Sequence, residues 1–403
     1  MKSFFIFVFL LLLVRNGNAQ NIIIKGKLVD ADRLDPIVNA SIKIGTTETF
    51  SNKLGVFSIQ IYSDNLVANG IDVDAPGFQK FHLSKVNDSS FLYLTLLPLK
   101  STYSDNVSVT FGGKDIIRRA FENLSKNYSI EPFNQSAVQF TQLHIDENSY
   151  ILNNIAQLKF YNAGYTKKKP DFQTQILQSK QMLKDFPIEM KENDDALSWQ
   201  PIGGTFELFA KSDAVLNSVD FLDTTKWKNY SYKLLSKKIW KGHSVYPVRF
   251  TTIDSTKSGR EGIILIDSAT YAVVKINMYY NWGSRREMAK QNKGSDFFHQ
   301  SEVQYFFNGK TWQLESTHSE GYQIRPHKET IHRFDFLMDA INYPETYKSV
   351  EKIPFFNRVF SYTKAASFGY SGTEESWKPI LDYVRSVDFK IQYPWLNLAL
   401  FGF

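Results

Sequence analysis

Lys25-Gly26-Lys27-Leu28-Val29-Asp30, then Asp35-Pro36-Ile37-Val38-Asn39-Ala40-Ser41-Ile42, then Ser51-Asn52-Lys53-Leu54-Gly55-Val56-Phe57 is the stretch that decides the fold of the first hundred residues. Apolar and polar residues alternate within each run, and Asp, Asn, Pro and Gly fill the gaps. Two-residue periodicity between turn signals makes short strands. Outward from this stretch the pattern continues. Ile22-Ile23-Ile24 feeds the first strand, Ala40 to Ile44 and Val56 to Ile61 alternate, Ile71-Asp72-Val73 ends in Ala75-Pro76-Gly77-Phe78, and Phe91 to Leu99 closes the set. Short strands with turns every ~8–12 residues predict a β-sandwich. Gly55 stands where a hairpin needs φ > 0, and Pro36 stiffens a turn entry. Phe57 is large enough to fill the space between two sheets about 10 Å apart.

Gly26, Val29, Asp30, Pro36, Ala40, Ile42, Gly55, Phe57, Gly77 and Phe78 together resemble the carboxypeptidase-regulatory-like domain. That module is a transthyretin-like sandwich found at the start of many Bacteroidota cell-envelope proteins. The resemblance implies a seven-stranded sandwich over residues 20–100 and, because the module is the non-catalytic appendage of the peptidases it is named for, no peptidase activity. A looser resemblance continues beyond it. Ile117 to Leu124 with Asn127-Tyr128, then Gly203-Gly204, Asp213, Phe221-Leu222, Tyr230 and Ile266-Asp267 with Thr270-Tyr271-Ala272 are similar to the segment that follows the module in those envelope proteins. In longer relatives an outer-membrane barrel can come next. Here only about sixty residues follow Glu345, too few for eight strands of ~10 residues and their turns.

Residues 1–19 read as a cleaved export leader. Lys2 supplies the positive end, Phe4 to Val14 is an unbroken apolar run, and Gly17-Asn18-Ala19 offers small residues for cleavage before Gln20. The run is shorter than the ~20 apolar residues a spanning helix needs. The chain has no cysteine, which excludes disulfides, thiolate metal sites, cysteine nucleophiles and the lipidated cysteine of a bacterial lipoprotein. Net charge is +6, and removing Lys2 and Arg15 with the leader leaves +4. Nucleic-acid binding needs a concentrated basic stripe. The densest cluster, Lys167-Lys168-Lys169 before Pro170, reads as a solvated loop. The abundance of Phe (33) and Tyr (21) leans the composition toward strands.

Beyond a polar linker at 101–112, residues 113–345 read as an α+β domain with a large antiparallel sheet. Residues 346–403 read as a C-terminal extension packing on it. Ile116, Ile117, Ala120, Phe121 and Leu124 fall at helical spacing, and the helix stops near Asn127. Val138 to Leu143 and Tyr150 to Phe160 read as strands. Gln173 to Phe186 fits either a strand or an amphipathic helix, and a short helix is expected over Phe206 to Leu216. Three hairpins follow, turning at Lys241-Gly242, Asp267-Ser268-Ala269-Thr270 and Asn308-Gly309. A two-residue Asn-Gly loop would set Phe307 opposite Lys310, Tyr305 opposite Trp312 and Val303 opposite Leu314. The resulting apolar face, Val274, Ile276, Val303, Tyr305, Trp312 and Leu314, is either core or the wall of an apolar ligand site. Trp395 to Phe403, apolar on both parities, reads as a buried closing strand.

Chemistry is sparse. The seven histidines are His82, His144, His243, His299, His318, His327 and His332, and none forms His-Glu-x-x-His. His327 and His332 would face opposite sides of one strand and could meet as metal ligands only through a bend. His144-Ile145-Asp146-Glu147 holds a single His-x-x-Glu at a strand end. Gly203-Gly204 reads as a turn before a helix rather than an anion cradle. Glu192-Asn193-Asp194-Asp195 lacks the glycine and terminal glutamate of a calcium loop. Trp227, Trp240 and Trp282 could stack on a sugar but read as core.

The expectation is a mainly β protein with no catalytic residues, metal or cofactor. Its partner would be another envelope protein, a lipid or a glycan, at the periplasm or outer membrane. The leading reading is a binding or assembly role there. The alternative is a carrier of a lipid or other apolar ligand in a curved sheet.

Overall fold

The computed structural model describes residues 21–30, 35–62, 70–83, 92–99, 112–145, 149–165, 171–183, 208–254, 256–281, 283–284, 296–327, 330–345, 347–359 and 371–387. The leader, the linker at 101–111, Lys167 to Lys169, Glu192 to Asp195, Gly203-Gly204, Trp282 and the stretch Trp395 to Phe403 lie outside the described residues. The chain divides into two compact units, 1–106 and 107–403.

Among the described residues of the first unit seven strands form two sheets. β4 (Val56–Tyr62), β1 (Asn21–Asp30) and β7 (Leu92–Leu96) make one, with β7 parallel to β1. β3 (Thr47–Phe50), β2 (Ser41–Ile44), β5 (Ile71–Asp74) and β6 (Phe81–Leu83) make the other. One buried cluster joins the inward residues of both sheets, among them Leu28, Ile42, Phe57, Ile59, Val73 and Leu94. The turn residues explain the register. Gly55 has φ +73°, and Ser51 bonds both Ile37 O and Ala40 N. Gly26 lies opposite Phe57. A Cβ on Gly26 would fall 2.5 Å from the Phe57 ring, so the glycine makes room for the aromatic.

The described residues of the second unit are built on eleven antiparallel strands. Their order is β10 (Phe172–Leu183), β9 (Ser149–Asn162), β8 (Phe133–Ile145), β18 (Thr330–Tyr343), β17 (Trp312–His327), β16 (Asp296–Phe307), β15 (Val273–Asn281), β14 (Gly259–Asp267), β13 (His243–Thr252) and β11 (Tyr230–Leu234), with β12 (Lys238–Trp240) also on β13. Strand pairs put Val248, Ile264, Ile276 and Val303 in one line across the sheet. Onto β11 and β13 packs helix α1 (Gly113–Glu122), through Ile116, Ile117 and Ala120. A break at Asn123 separates α1 from the single turn α2 (Leu124–Asn127), and Asn123 Nδ2 donates to Arg119 O there. The opposite face at β8 and β9 takes helix α4 (Glu374–Ser386). Its Trp377, Ile380, Leu381 and Val384 pack on Val138, Phe140 and Ile155. Thr373 caps it by accepting Ser376 N–H.

One open alternative is decided here and three sequence expectations change. Gln173 to Leu183 is strand β10, because β9 pairs along its whole length. The helix expected to Leu216 is the five-residue α3 (Leu208–Ser212). It ends because the Asp213 carboxylate accepts the N–H groups of Val215 and Leu216 and diverts the backbone into turns. The hairpin at Asn308-Gly309 has a four-residue loop. Asn308 Oδ1 accepts the N–H groups of Lys310 and Thr311, and of the two turn residues Gly309 alone has positive φ. Phe307 therefore pairs with Trp312 and Tyr305 with Leu314. The slip from the expected register is two residues at Phe307 and Tyr305; an irregularity between Gln304 and Tyr305 makes it three at Val303, which pairs with Thr317, and alternation along β16 keeps Val303 and Tyr305 on one face. His327 and His332 lie on the two arms of the β17–β18 hairpin, opposite Thr330 and Arg325, rather than on one strand.

Candidate functional site

The six residues of the expected apolar face are all buried: Val274, Ile276 and Val303 at 0%, Tyr305 at 1%, Leu314 at 2% and Trp312 at 3% exposure. A side chain lining a void wide enough for a lipid chain would keep accessible surface, so this face is filled core. The filling is aromatic and polar. Tyr305 OH donates to Asp213 Oδ1 and Tyr165 OH to Asp213 Oδ2, both at 2.8 Å. Tyr128 meets Tyr305 edge-on at 5.8 Å and donates to Val273 O at 2.7 Å. Burial raises the pKa of Asp213, against the donors that surround it. The same burial holds the three tyrosines as neutral phenols.

A second group lies in the sheet itself. His318 Nδ1 is 2.6 Å from Asp339 Oδ1, and its Nε2 is 3.6 Å from Glu320. Next to them in register, Glu302 pairs with Lys275 at 3.0 Å. Burial alone would lower the His318 pKa, but the two carboxylates outweigh it and push it up to about 10. Asp339 is fully buried, and its Oδ2 has no hydrogen-bond partner. The group works as an internal ionic strut. Among the described residues no set of three or more histidines and acids is placed to hold a metal ion.

The third arrangement is open. A cleft of about 410 Å³ is lined by Asp220, Lys226, Lys228, Asn229, Tyr230, Thr252, Ile253, Asp254, Lys257, Ser258 and Tyr280. Local structure places each wall. The 3-10 turn Trp227–Asn229 runs into β11 and presents the two lysines. The turn after β13 presents Asp254 and Lys257, where Asp254 Oδ1 accepts Thr256 N–H. Tyr280 comes from β15. Asp220 is committed to Arg260 at 2.7 Å and takes a bond from Tyr230 OH. Lys226 and Lys257 are held only 3.7 Å from Asp223 and Asp254. Among the described residues Lys228 has no ion-pair partner. The surplus in the cleft is therefore positive. Its residues come from separate stretches of chain, and no spacing announced them. The nearest signal was Lys226-Trp227-Lys228, where two cations flank an aromatic.

The other sequence candidates do not converge. His82 pairs with Asp72, His243 packs on Trp312 at 5.2 Å, and His299 meets Ser319 at 2.9 Å. Burial lowers the pKa of His299 to about 4 and also lowers that of His144, which lies one residue before the end of β8. Trp227 packs edge-on against Phe121, and Trp240 lies on β12 beside Lys241.

No family profile and no curated protein matches the chain. Among solved structures it is similar to a LolA superfamily protein from Nitrosomonas europaea, at 10% identity over 60% of this chain and 99% of that one, TM-score 0.24. It is also similar to a DUF1329 family protein from Desulfovibrio piger, at 9% identity over 56% and 92%, TM-score 0.28. A third is a putative outer membrane lipoprotein-sorting protein domain from Vibrio parahaemolyticus, at 12% identity over 59% and 95%, TM-score 0.23. At these scores the likenesses assign this chain neither a fold family nor an activity.

Proposed function

We propose that this is a non-catalytic, exported cell-envelope protein whose second unit binds an anionic, sugar-sized ligand in the Lys228 cleft. The observation that carries the reading is the cleft itself. Its volume falls in the range of small-ligand sites, its walls offer Tyr230, Tyr280 and Ile253 beside hydroxyl and amide groups, and the Lys228 ammonium, without an ion-pair partner among the described residues, stands beside two weakly paired ones. A concave, net positive wall raises the local concentration of anions. The leader-like residues 1–19 support export. Seven strands in two sheets sharing one core support the regulatory-like, transthyretin-like reading of the first unit. The strongest cluster of titratable groups, around His318, is buried inside the sheet instead of opening on a cleft, which weighs against catalysis.

Mature protein titrated by calorimetry with a phosphorylated hexosamine and with its unphosphorylated parent tests this. The phosphorylated sugar should bind, the parent should bind at least about tenfold more weakly, and Lys228→Glu should abolish the difference. Equal binding of both, or wild-type affinity in the variant, removes the cleft reading.

A second reading is a periplasmic lipid carrier. It is favoured by the width of the sheet: open sheets of about ten strands or more tend to curl, split or flatten, and a curled one offers a trough. Any ligand would have to sit away from the filled face at Tyr305. Lipid extracted stoichiometrically from purified protein, seen by mass spectrometry, would support it. Lipid-free protein from native membranes would count against it.

A further inference from the structure

We propose that Asn308 is a self-modifying site, where the chain converts its own side-chain amide into aspartate and isoaspartate through a cyclic imide shared with Gly309. The pair sits at the tip of the β16–β17 hairpin, and Phe307, Asn308, Gly309 and Lys310 are all exposed. Ring closure within a chain is fast when the reacting groups are already neighbours. It needs a carbonyl open to attack, a backbone nitrogen free to attack it, and space around both. The hairpin tip supplies each.

The carbonyl is polarised. Asn308 Oδ1 accepts the Lys310 N–H at 2.9 Å and the Thr311 N–H at 2.8 Å. Two backbone donors on one oxygen draw charge from its carbon, and they are already aimed at the oxyanion that attack would form. The nucleophile is free: among the described residues the Gly309 N–H enters no hydrogen bond. Space is open too, since a Cβ on Gly309 would meet nothing within 4 Å. Two other asparagines followed by small residues lack these features. Asn217 Nδ2 donates to the carbonyls of Ala210, Lys211 and Asp213, and the Ser218 N–H donates to Val215 O at 3.2 Å. After Asn39, the Ala40 N–H donates to Ser51 Oγ at 2.9 Å. In both, the would-be nucleophile is engaged.

Water is the only co-reactant. The Gly309 nitrogen bonds to Asn308 Cγ as its proton leaves, the bond from Cγ to Nδ2 breaks, and the amide nitrogen departs as ammonia carrying that proton. Water then opens the five-membered imide at either carbonyl. One opening leaves aspartate with the main chain intact. The other leaves isoaspartate, which routes the main chain through Cγ and lengthens it by one methylene. Each product adds a negative charge. Aspartate keeps a side-chain acceptor for the two N–H groups. Isoaspartate does not, because Cγ and its oxygen have become the peptide link. The loop that sets Phe307 opposite Trp312 then loses its geometry. The site shares no residue with the Lys228 cleft and does not depend on what that cleft binds.

The test is incubation of the mature protein at mildly alkaline pH, followed by peptide mapping and by labelling with an isoaspartyl methyltransferase. The peptide carrying Asn308 should show the mass gain of an amide exchanged for an acid, and it should take the methyl label. Conversion there should run at least about tenfold faster than at Asn217, and no slower than in a free peptide of the sequence Phe307 to Trp312. Asn308→Gln, which would need a six-membered ring, should stay intact. Asn308→Asp should melt with wild type, whereas aged wild type enriched in isoaspartate should melt lower. An Asn308 that survives conditions converting the free peptide overturns the proposal, because the loop then shields the amide. Equal conversion at Asn39, Asn217 and Asn308 overturns it as well.

Discussion

Tyr305 donates its hydroxyl to Asp213 across 2.8 Å, and that bond fastens the segment following α3 to the apolar face of the sheet. Asp213 also receives Tyr165 OH and two backbone N–H groups. A buried carboxylate with four donors is tolerable; with fewer it is costly. Tyr305→Phe should destabilise the protein by about 1–3 kcal/mol. Asp213→Ala, which strands two phenols and two amides, should cost about 3–5 kcal/mol. Asp213→Asn keeps an acceptor without the charge and should cost less than Ala. Urea midpoints of the three variants check the order, and an alanine variant as stable as wild type would sink the account.

The His318–Asp339 pair sets a pH dependence. The folded pKa of His318 is about 10 against an ordinary 6.5. A raised folded pKa means stabilisation that is complete below pH 6.5 and disappears as pH climbs through 10. Wild type should therefore lose stability against His318→Gln across that window. Urea titrations at both ends measure it. A constant difference between the two proteins would show that the histidine is not charged in the folded state.

Gly26 is a position in the first unit with no room for a side chain. A Cβ there would lie 2.5 Å from the Phe57 ring and 2.6 Å from the Leu92 carbonyl. Gly26→Ala should destabilise this unit by about 1–3 kcal/mol through overpacking. Phe57→Leu should relieve only part of it, because the Leu92 carbonyl is backbone. Thermal melts of single and double variants test this; full rescue would mean the carbonyl contact is unimportant.

These residues also show what was legible in the chain. Gly26, Gly55 and Phe57 signalled a two-sheet unit because local turn chemistry and side-chain size act over a few residues. The apolar stripe from Val274 to Leu314 was legible for the same reason, and it survived a wrong loop length because the error was two residues at Tyr305 and the odd slip at Val303 is absorbed by the irregularity beside Gln304. Whether that stripe was core or ligand wall was not legible. Its cover comes from Asp213, Tyr128 and Tyr165, far away in sequence. The Lys228 cleft and the His318 strut were hidden for the same reason: cross-strand registers and turn geometry, which no local spacing encodes, bring their members together.

Trp377 offers a local test of how the C-terminal helix is held. It is fully buried on α4, against Val138, Phe140 and Ile155, and its Nε1 donates to Ser371 O at 3.2 Å. α4 meets the sheet through an apolar stripe at β8 and β9, with Tyr383 OH donating to Asn342 O on β18 and Ser376 Oγ to Gln178 Oε1 on β10, so removing its largest side chain should undock the helix before the sheet melts. Trp377→Ala should cost about 3–5 kcal/mol. Trp377→Phe, which keeps most of the area but not the indole bond, should cost less. Hydrogen exchange should quicken in α4 and at the β8–β9 pair, while amides of β13 and β14 stay protected. Uniform acceleration across all eleven strands would mean that α4 and the sheet unfold as one cooperative unit, contrary to this reading of the packing.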